Sequence, residues 1–296
     1  MLVANATLVS VRVSLVLGSS AVSTLGNLFV LVIFSRSVGG GVRHRIVDII
    51  LAALALTALV RALLLGPIQA TCFITGEWSF GDSMCQLQAF TEAALRNTFI
   101  WYLSLLSLER YTKHVLPHEY LLTFSPLTVN VILPGILLVV VVQVTGPLYG
   151  WGKYEYLEEC GLCGSATPSR FGCVYGAFLA LCLGAPPLAV AGVCGLRLAA
   201  RLGALPKRRL PAANSRLLCA APREMPSVVA LLLAAATLSA PRSALDAAAA
   251  CAPAPLFAAY LLDGLAAVLL PALTLALHPG ARALLLRRAP VPEVVL

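Results

Sequence analysis

Charged side chains are scarce in this chain of 296 residues. Only 11% of the residues are Asp, Glu, Lys or Arg, whereas 59% are hydrophobic, and the mean hydropathy is +0.90. Soluble domains carry about 25% charged residues. Because so few charged groups cannot cover a folded chain in water, the composition predicts an integral membrane protein.

Sequence motifs for metal binding and for catalysis are also missing. The nine cysteines are scattered, and the C-x-x-C pair of Cys160 and Cys163 has no second pair at zinc spacing. Neither H-x-x-H nor G-x-S-x-G occurs, and serine, histidine and acidic residues are not clustered in the apolar runs. We therefore expect no enzyme activity, no metal site and no cofactor.

Seven apolar runs are each long enough to cross a bilayer, which takes about 20 residues of helix. The first is too long for the core of a signal peptide and is expected to be a signal anchor. The chain is thus predicted to be an all-α membrane protein, with residues 1–296 forming a single seven-transmembrane domain. The predicted spans 1 to 7 cover about residues 11–35, 46–71, 86–112, 127–149, 171–198, 226–250 and 255–277.

Lysine and arginine are concentrated in alternate loops. The loops after spans 1, 3 and 5 and the tail after span 7 hold most of the cations, and the opposite loops hold acidic residues. Because Lys and Arg mark the cytoplasmic side, the amino terminus is predicted to lie outside the cell, where Asn5 of Asn5-Ala6-Thr7 would be a glycosylation acceptor. The net charge of +8 then reflects membrane orientation, and no nucleic-acid partner is expected.

Span 3 is bounded by residues of distinctive type and spacing. Cys85 opens it, shortly after the segment Trp78-Ser79-Phe80-Gly81. Glu109-Arg110-Tyr111 closes it about 25 residues later, which corresponds to about 37 Å of helix and suffices to cross the bilayer. Pro117 and Tyr120 follow.

This combination resembles the rhodopsin-like (class A) G-protein-coupled receptors. They have a W-x-F-G loop, a cysteine at the outer end of helix 3, D/E-R-Y at its inner end and then P-L-x-Y. Other similarities are spread over most of the chain. They are Gly26-Asn27, Pro67, Pro186 or Pro187, Pro241, Pro271, the opsin-like loop Gly150 to Tyr156, and His278 to Leu286, which resembles the family's short cytoplasmic amphipathic helix.

The resemblance implies roles for several residues. Cys85 would form a disulfide with Cys163, or else with Cys160. Glu109, Arg110, Tyr111 and Pro117 would form the surface that couples to a heterotrimeric G protein, with Glu109 holding Arg110 in the inactive state. The alternative is that Arg110 only extends to the membrane interface.

The sequence also departs from the family pattern. The acidic residue of helix 2 is replaced by Ala58, the tryptophan of helix 6 by Ser239, and the tyrosine of helix 7 by Thr274. The retinal-binding lysine of opsins is replaced by Gly264, so covalent retinal is not expected. We therefore predict an orphan receptor in the plasma membrane with an unknown ligand and weak or constitutive coupling. The alternative is a non-signalling membrane scaffold or heteromer partner, and a transporter comes third, since no inverted repeat is visible.

Four charged residues stand out within the predicted spans, where ionisable groups are costly and indicate function. They are Arg61, Glu92, Arg96 and Asp263. One interpretation is a neutral internal network that pairs Glu92 with Arg96 and Asp263 with Arg61. A second is a site for a cationic ligand at Glu92, which occupies the position of the ammonium partner in amine receptors. A third is an anionic ligand at Arg61 or Arg96.

Overall fold

The computed structural model describes residues 2–39, 46–158, 161–166, 175, 178–204, 230–235, 237–239 and 253–277. These residues form a bundle of long helices with a two-stranded antiparallel hairpin at one end. The architecture confirms the predicted all-α membrane fold. The predicted amphipathic tail helix lies outside the described residues.

The described helices overlap the predicted spans. Spans 1 to 4 are helices Leu2–Gly39, Ile46–Thr75, Asp82–Val115 and Pro126–Val144. A short helix, Pro117–Thr123, joins spans 3 and 4, and a 3-10 turn, Gly146–Tyr149, leads to strands Lys153–Leu157 and Leu162–Ala166. Span 5 contains Ala185–Ala204, residues 230–235 and 237–239 are helical in span 6, and span 7 consists of Pro253–Val268 and Leu270–Leu277.

Several helix boundaries differ from the predicted ones. Span 1 extends beyond the predicted 11–35 at both ends, and span 4 ends as α-helix at Val144 instead of 149. Among the described residues, four helices are long and apolar enough to cross a membrane by length and composition, namely those of spans 1, 2, 4 and 5. The span 3 helix is not among them, because polar and charged residues along its length make it less apolar.

A capping residue explains where span 4 begins, and two prolines explain a distortion within span 5. Ser125 accepts a hydrogen bond from the Thr128 amide at 3.0 Å, and Pro126 occupies the first turn of span 4, where no amide donor is needed. In span 5, Pro186 and Pro187 lack the amide hydrogens that would bond to the carbonyls four residues earlier. The helix widens into a π-turn over Ala180–Gly184 immediately before them.

The main core joins spans 1, 2, 3, 4, 6 and 7. Fully buried side chains at its centre include Ile50, Leu54, Leu103, Leu106 and Leu270. Span 3 is the most polar of these helices, and it also packs against span 5 and the hairpin. Its polar side chains therefore lie inside the bundle, whereas leucine and valine side chains on spans 1 and 4 face outward. This is the pattern expected when the outside is lipid.

Span 1 packs tightly against a break in span 7. The span 7 helix is interrupted at Leu269, and Pro271 has no amide hydrogen to donate to the Ala267 carbonyl four residues earlier. The Asn27 side chain donates to that carbonyl at 3.4 Å and to the Ser23 carbonyl at 2.7 Å. Gly26 lies against Pro271, so a Cβ at residue 26 would stand 2.5 Å from the proline Cγ.

We predict that Gly26→Ala destabilises the bundle. The added methyl group would push span 1 away from Pro271 and weaken the bond from Asn27, since overpacking costs about 1–3 kcal/mol. Thermal unfolding of purified protein and cell-surface labelling would measure the loss.

Gly18→Ala is the matched control, because a Cβ at Gly18 of the same helix meets nothing within 4 Å. This variant should be neutral or slightly stabilised. Equal behaviour of the two variants would contradict the packing of Gly26 on Pro271.

Candidate functional site

We call the end of the bundle that carries the hairpin the outer end, and the end that carries Glu109 and Arg110 the inner end. A disulfide ties the hairpin to the outer end of span 3. Cys85 bonds to Cys163, with the two Cα atoms 5.4 Å apart. Cys163 also donates its amide hydrogen to the Gln88 side chain at 2.7 Å, one helical turn below the disulfide. Cys160, the other predicted partner, lies outside the described residues. The second strand of the hairpin is therefore fixed to span 3 by a covalent bond and a hydrogen bond.

The hairpin lies across the outer end of the bundle. Its strands pair Tyr156 with Cys163, and Tyr156 packs on Trp78 with ring centroids 6.1 Å apart. On the first strand, the Tyr154 hydroxyl donates to the Val144 carbonyl at 2.7 Å. Burial raises the pKa of Tyr154, so this phenol stays protonated and remains a donor. The hairpin thus contacts spans 3 and 4 at this end of the bundle.

Four charged side chains lie beneath the hairpin in the outer half of the bundle. Each of these residues is less than a tenth exposed: Arg61 of span 2, Glu92 and Arg96 of span 3, and Asp263 of span 7. Tyr154 of the hairpin lies within electrostatic range of Glu92 and Arg96. The fold therefore gathers these four charged side chains, which come from three spans, at one place.

Arg61 is the centre of this cluster. Its Nη2 atom lies 2.8 Å from the Asp263 carboxylate and 3.3 Å from Oε1 of Glu92. The Arg96 Nε atom is 4.0 Å from the same Glu92 oxygen. The sequence suggested two separate pairs, whereas the structure has one chain of contacts in which Arg61 is shared by two carboxylates.

The cluster is balanced in charge, with two guanidinium groups and two carboxylates. An isolated charge in an apolar interior is strongly unfavourable, and it is tolerated when an opposite charge and hydrogen bonds compensate it. Because Glu92 faces a guanidinium on either side, its carboxylate has no need of an external cation for neutralisation.

At the other end of span 3, Glu109 and Arg110 form a buried ion pair. Glu109 is fully buried, and its carboxylate accepts hydrogen bonds from Arg110 Nε and from Arg110 Nη2, the latter at 2.6 Å. The same carboxylate accepts from the Tyr120 hydroxyl at 3.0 Å. Burial and the neighbouring Glu109 charge raise the pKa of Tyr120, which keeps its hydroxyl a donor.

The other predicted coupling residues lie around this pair. Pro117 begins the short helix Pro117–Thr123, which carries Tyr120 toward Glu109. Tyr111 is half-buried and lines a cavity between the inner ends of spans 3 and 5. Asn5, the predicted glycosylation acceptor, lies near the start of the span 1 helix, and its side chain is not among those that the structure describes.

The departures from the family pattern fall on buried positions. Ala58 lines a small cavity between spans 1, 2 and 7, together with Ser23 and Arg61. Ser239 and Thr274 are fully buried, and Thr274 donates to the Leu270 carbonyl of its own helix at 3.0 Å. The Oδ1 atom of the neighbouring Asn27 has no hydrogen-bond partner among the described residues.

Sequence reasoning missed two polar contacts of span 3. Gln88 bonds to the hairpin, and Tyr102 donates to the Leu133 carbonyl of span 4 at 2.9 Å. A polar residue one turn after Cys85, on the same helix face, was a usable signal for Gln88. Nothing in the local sequence marks Tyr102, because its acceptor is a backbone carbonyl of another span.

Comparisons with known proteins agree with this geometry. The family described as 7 transmembrane receptor (rhodopsin family) matches residues 26–240. The 5-hydroxytryptamine receptor 5A of Rattus norvegicus is 30% identical over 147 residues, which cover 47% of this chain and 40% of that receptor. The tyramine receptor tyra-2 of Caenorhabditis elegans is 25% identical over 104 residues, which cover 35% of this chain and 22% of that receptor. The aligned part thus spans less than half the length of these curated relatives.

The structure of squid rhodopsin is similar to this one over nearly the whole chain. Its TM-score is 0.74, and the match covers 94% of this chain and 85% of the rhodopsin. The sequence identity is 17%, so this likeness concerns the fold alone.

We predict that the buried charges depend on one another. Arg61→Leu removes the group that both carboxylates share, and stranding a buried partner costs about 3–5 kcal/mol. Cell-surface labelling should therefore fall strongly. Adding Asp263→Asn to Arg61→Leu removes one charge of each sign and should restore much of the lost expression.

Arg12→Leu serves as the matched control. Arg12 also lies at the outer end, but it stacks on the Phe73 ring and is only partly buried. The Arg12→Leu change should therefore lower cell-surface labelling only slightly. The double variant would contradict the shared cluster if its loss of cell-surface labelling equalled the sum of the losses of Arg61→Leu and Asp263→Asn alone. A Glu92→Gln variant that reaches the surface normally but loses a response to an amine would indicate a ligand site instead.

Proposed function

Since the chain belongs to the rhodopsin family of seven-transmembrane receptors, we propose that it is a class A receptor that couples weakly or constitutively to a heterotrimeric G protein. Its coupling surface would be the inner end of span 3, with Glu109, Arg110, Tyr111 and Pro117. Its ligand is not identified by the sequence.

The observation that carries this proposal is the buried pair of Glu109 and Arg110. Among the described residues, the Arg110 guanidinium is held by a carboxylate of its own helix, and it is available for a new partner once that bond is released. Tyr120 shares the same carboxylate, so a change in the short helix Pro117–Thr123 would alter the hold on Arg110. These groups form a switch of the kind that a docking protein can operate.

Weak or constitutive coupling is supported by what holds Arg110 in place. Among the described residues, both hydrogen bonds of Arg110 run to Glu109, and neither crosses to another span. The family's acidic partner on helix 6 corresponds to Ala221, which has no side-chain acceptor. Glu224 follows three residues later, and both positions lie outside the described residues. Within the described residues, the bonds of Arg110 do not connect the inner ends of the spans to one another, which favours a weakly held inactive arrangement.

The outer half of the bundle argues against an amine as the ligand, although two similar receptors are named for serotonin and tyramine. A cationic amine at Glu92 would compete with two guanidinium groups that are already present at 3.3 and 4.0 Å. Tethered groups have the advantage, because binding a free ligand costs translational and rotational entropy. We propose that the cluster is an internal structural network and that the ligand, if one exists, is not a simple amine.

The proposal places the protein in the plasma membrane as a multi-pass chain with its amino terminus outside the cell. Residues 1–296 would form one domain. The disulfide-linked hairpin then lies on the oxidising extracellular side, where such bonds persist. The Glu109–Arg110 pair lies at the cytoplasmic end, where a G protein is found.

A second function is supported by the substitutions at buried positions. Ala58, Ser239 and Thr274 replace the residues that other family members use for activation. A protein that kept the bundle and lost these groups would serve as a scaffold or heteromer partner in the membrane. The intact Glu109–Arg110 pair favours signalling over this alternative.

We predict basal signalling that depends on Arg110. Cells expressing the wild-type chain should show a second-messenger level that differs from mock-transfected cells, and Arg110→Ala should return it to the mock level. Surface labelling must show equal expression, and Lys153→Gln, an exposed change in the hairpin, is the control that should leave the signal unchanged. A wild-type signal equal to the mock level would favour the scaffold.

We also predict the orientation of the chain. An epitope tag at the amino terminus should be stained on intact cells, and a tag in the 201–223 loop should be stained only after permeabilisation. Staining of the loop tag on intact cells would show that the orientation is inverted.

A further inference from the structure

A basic cavity lies between spans 3 and 5 at the end of the bundle that carries Glu109 and Arg110. Its volume is about 310 Å³. The residues that line it are Tyr111, Val115, Arg197, Ala200 and Arg201. Cavities that bind small ligands or head groups begin at about 300 Å³, so this one has room for a phosphorylated group.

The two arginines give the cavity its charge. Arg197 and Arg201 are one helical turn apart on span 5 and therefore lie on the same face of that helix. Both are exposed, whereas Leu198 between them is buried and packs against Val115 of span 3. The contact of Leu198 with Val115 holds the two helices together, and the guanidinium groups lie at the edge of that contact.

No acidic residue lines the cavity among the residues that the structure describes, so its described wall carries a net positive charge. Glu109 belongs to the same end of span 3, but its carboxylate already accepts bonds from Arg110 and Tyr120. Tyr111 adds a phenol hydroxyl, which can donate a hydrogen bond to an anionic oxygen. Two guanidinium groups and a hydroxyl form a set of donors suited to a phosphate.

We propose that this cavity binds the phosphorylated head group of an anionic lipid from the cytoplasmic leaflet. The proposal rests on the membrane orientation proposed above. Basic pockets between transmembrane helices on the cytoplasmic side are suited to such head groups, because that leaflet holds the anionic lipids. The head group would connect the inner ends of spans 3 and 5 beside the coupling surface, so lipid composition would influence coupling.

The test uses the full-length protein in lipid nanodiscs. Discs of phosphatidylcholine alone are compared with discs that also contain phosphatidylserine or a phosphatidylinositol bisphosphate, and bound lipid is measured by native mass spectrometry. Both faces of a disc carry the same lipids, so the result does not depend on orientation in the cell, which the epitope tags test separately. The wild-type protein should retain the bisphosphate lipid in preference to phosphatidylcholine.

Arg197→Gln and Arg201→Gln should each weaken retention about fivefold, as expected for one cation near an anionic surface. Arg201→Lys keeps the charge and should retain most of the binding. Lys113→Gln is the matched control, because Lys113 is an exposed cation at the same end that contacts the Tyr120 ring and does not line the cavity. Unfolding temperatures in phosphatidylcholine discs would show that all variants are folded.

Three results would overturn the proposal. An equal loss in Lys113→Gln would mean diffuse attraction to the membrane. Full displacement of the lipid by inorganic phosphate would mean a site for a free anion. Arginine variants that retain lipid but lose G-protein-dependent signalling would assign the cavity to protein docking.

Discussion

Neutralisation of charge inside an apolar bundle is the constraint on which the outer half of this structure depends. Four ionisable side chains from three spans are buried where lipid surrounds the bundle, and Arg61 contacts both carboxylates. Because a stranded charge is so unfavourable there, the contacts fix how spans 2, 3 and 7 approach one another. The hairpin held by the Cys85–Cys163 disulfide lies beside the cluster, with Tyr154 within electrostatic range of Glu92 and Arg96.

The inner half uses the same chemistry for a different purpose. Glu109 and Arg110 are neighbours on one helix, so their ion pair does not hold two spans together as the Arg61 contacts do. Tyr120 adds a bond from the short helix that follows span 3. The outer charges therefore stabilise an arrangement of helices, whereas the inner pair can open without separating them.

Three substitutions relative to other family members change the interior between the Arg61 cluster and the Glu109–Arg110 pair. At the contact of spans 1 and 7, Asn27 compensates for the amide hydrogen that Pro271 lacks. Ala58, Ser239 and Thr274 contribute no charge to this region. The acidic, tryptophan and tyrosine side chains of other family members are absent at these three positions. Their absence supports the proposed weak or constitutive coupling.

The sequence by itself determined the class and the resemblance to the family, and it predicted the spans, because apolar length, the placement of Lys and Arg, and the residues around span 3 are local properties. It also marked Arg61, Glu92, Arg96 and Asp263, since charge is conspicuous in an apolar run. Only the tertiary structure decided that Arg61 is shared by two carboxylates, that Gln88 and Tyr102 join span 3 to its neighbours, and that Tyr111, Arg197 and Arg201 line one cavity. These contacts join residues far apart in the chain, and they are set by how the helices rotate and pack, which helical periodicity alone does not specify.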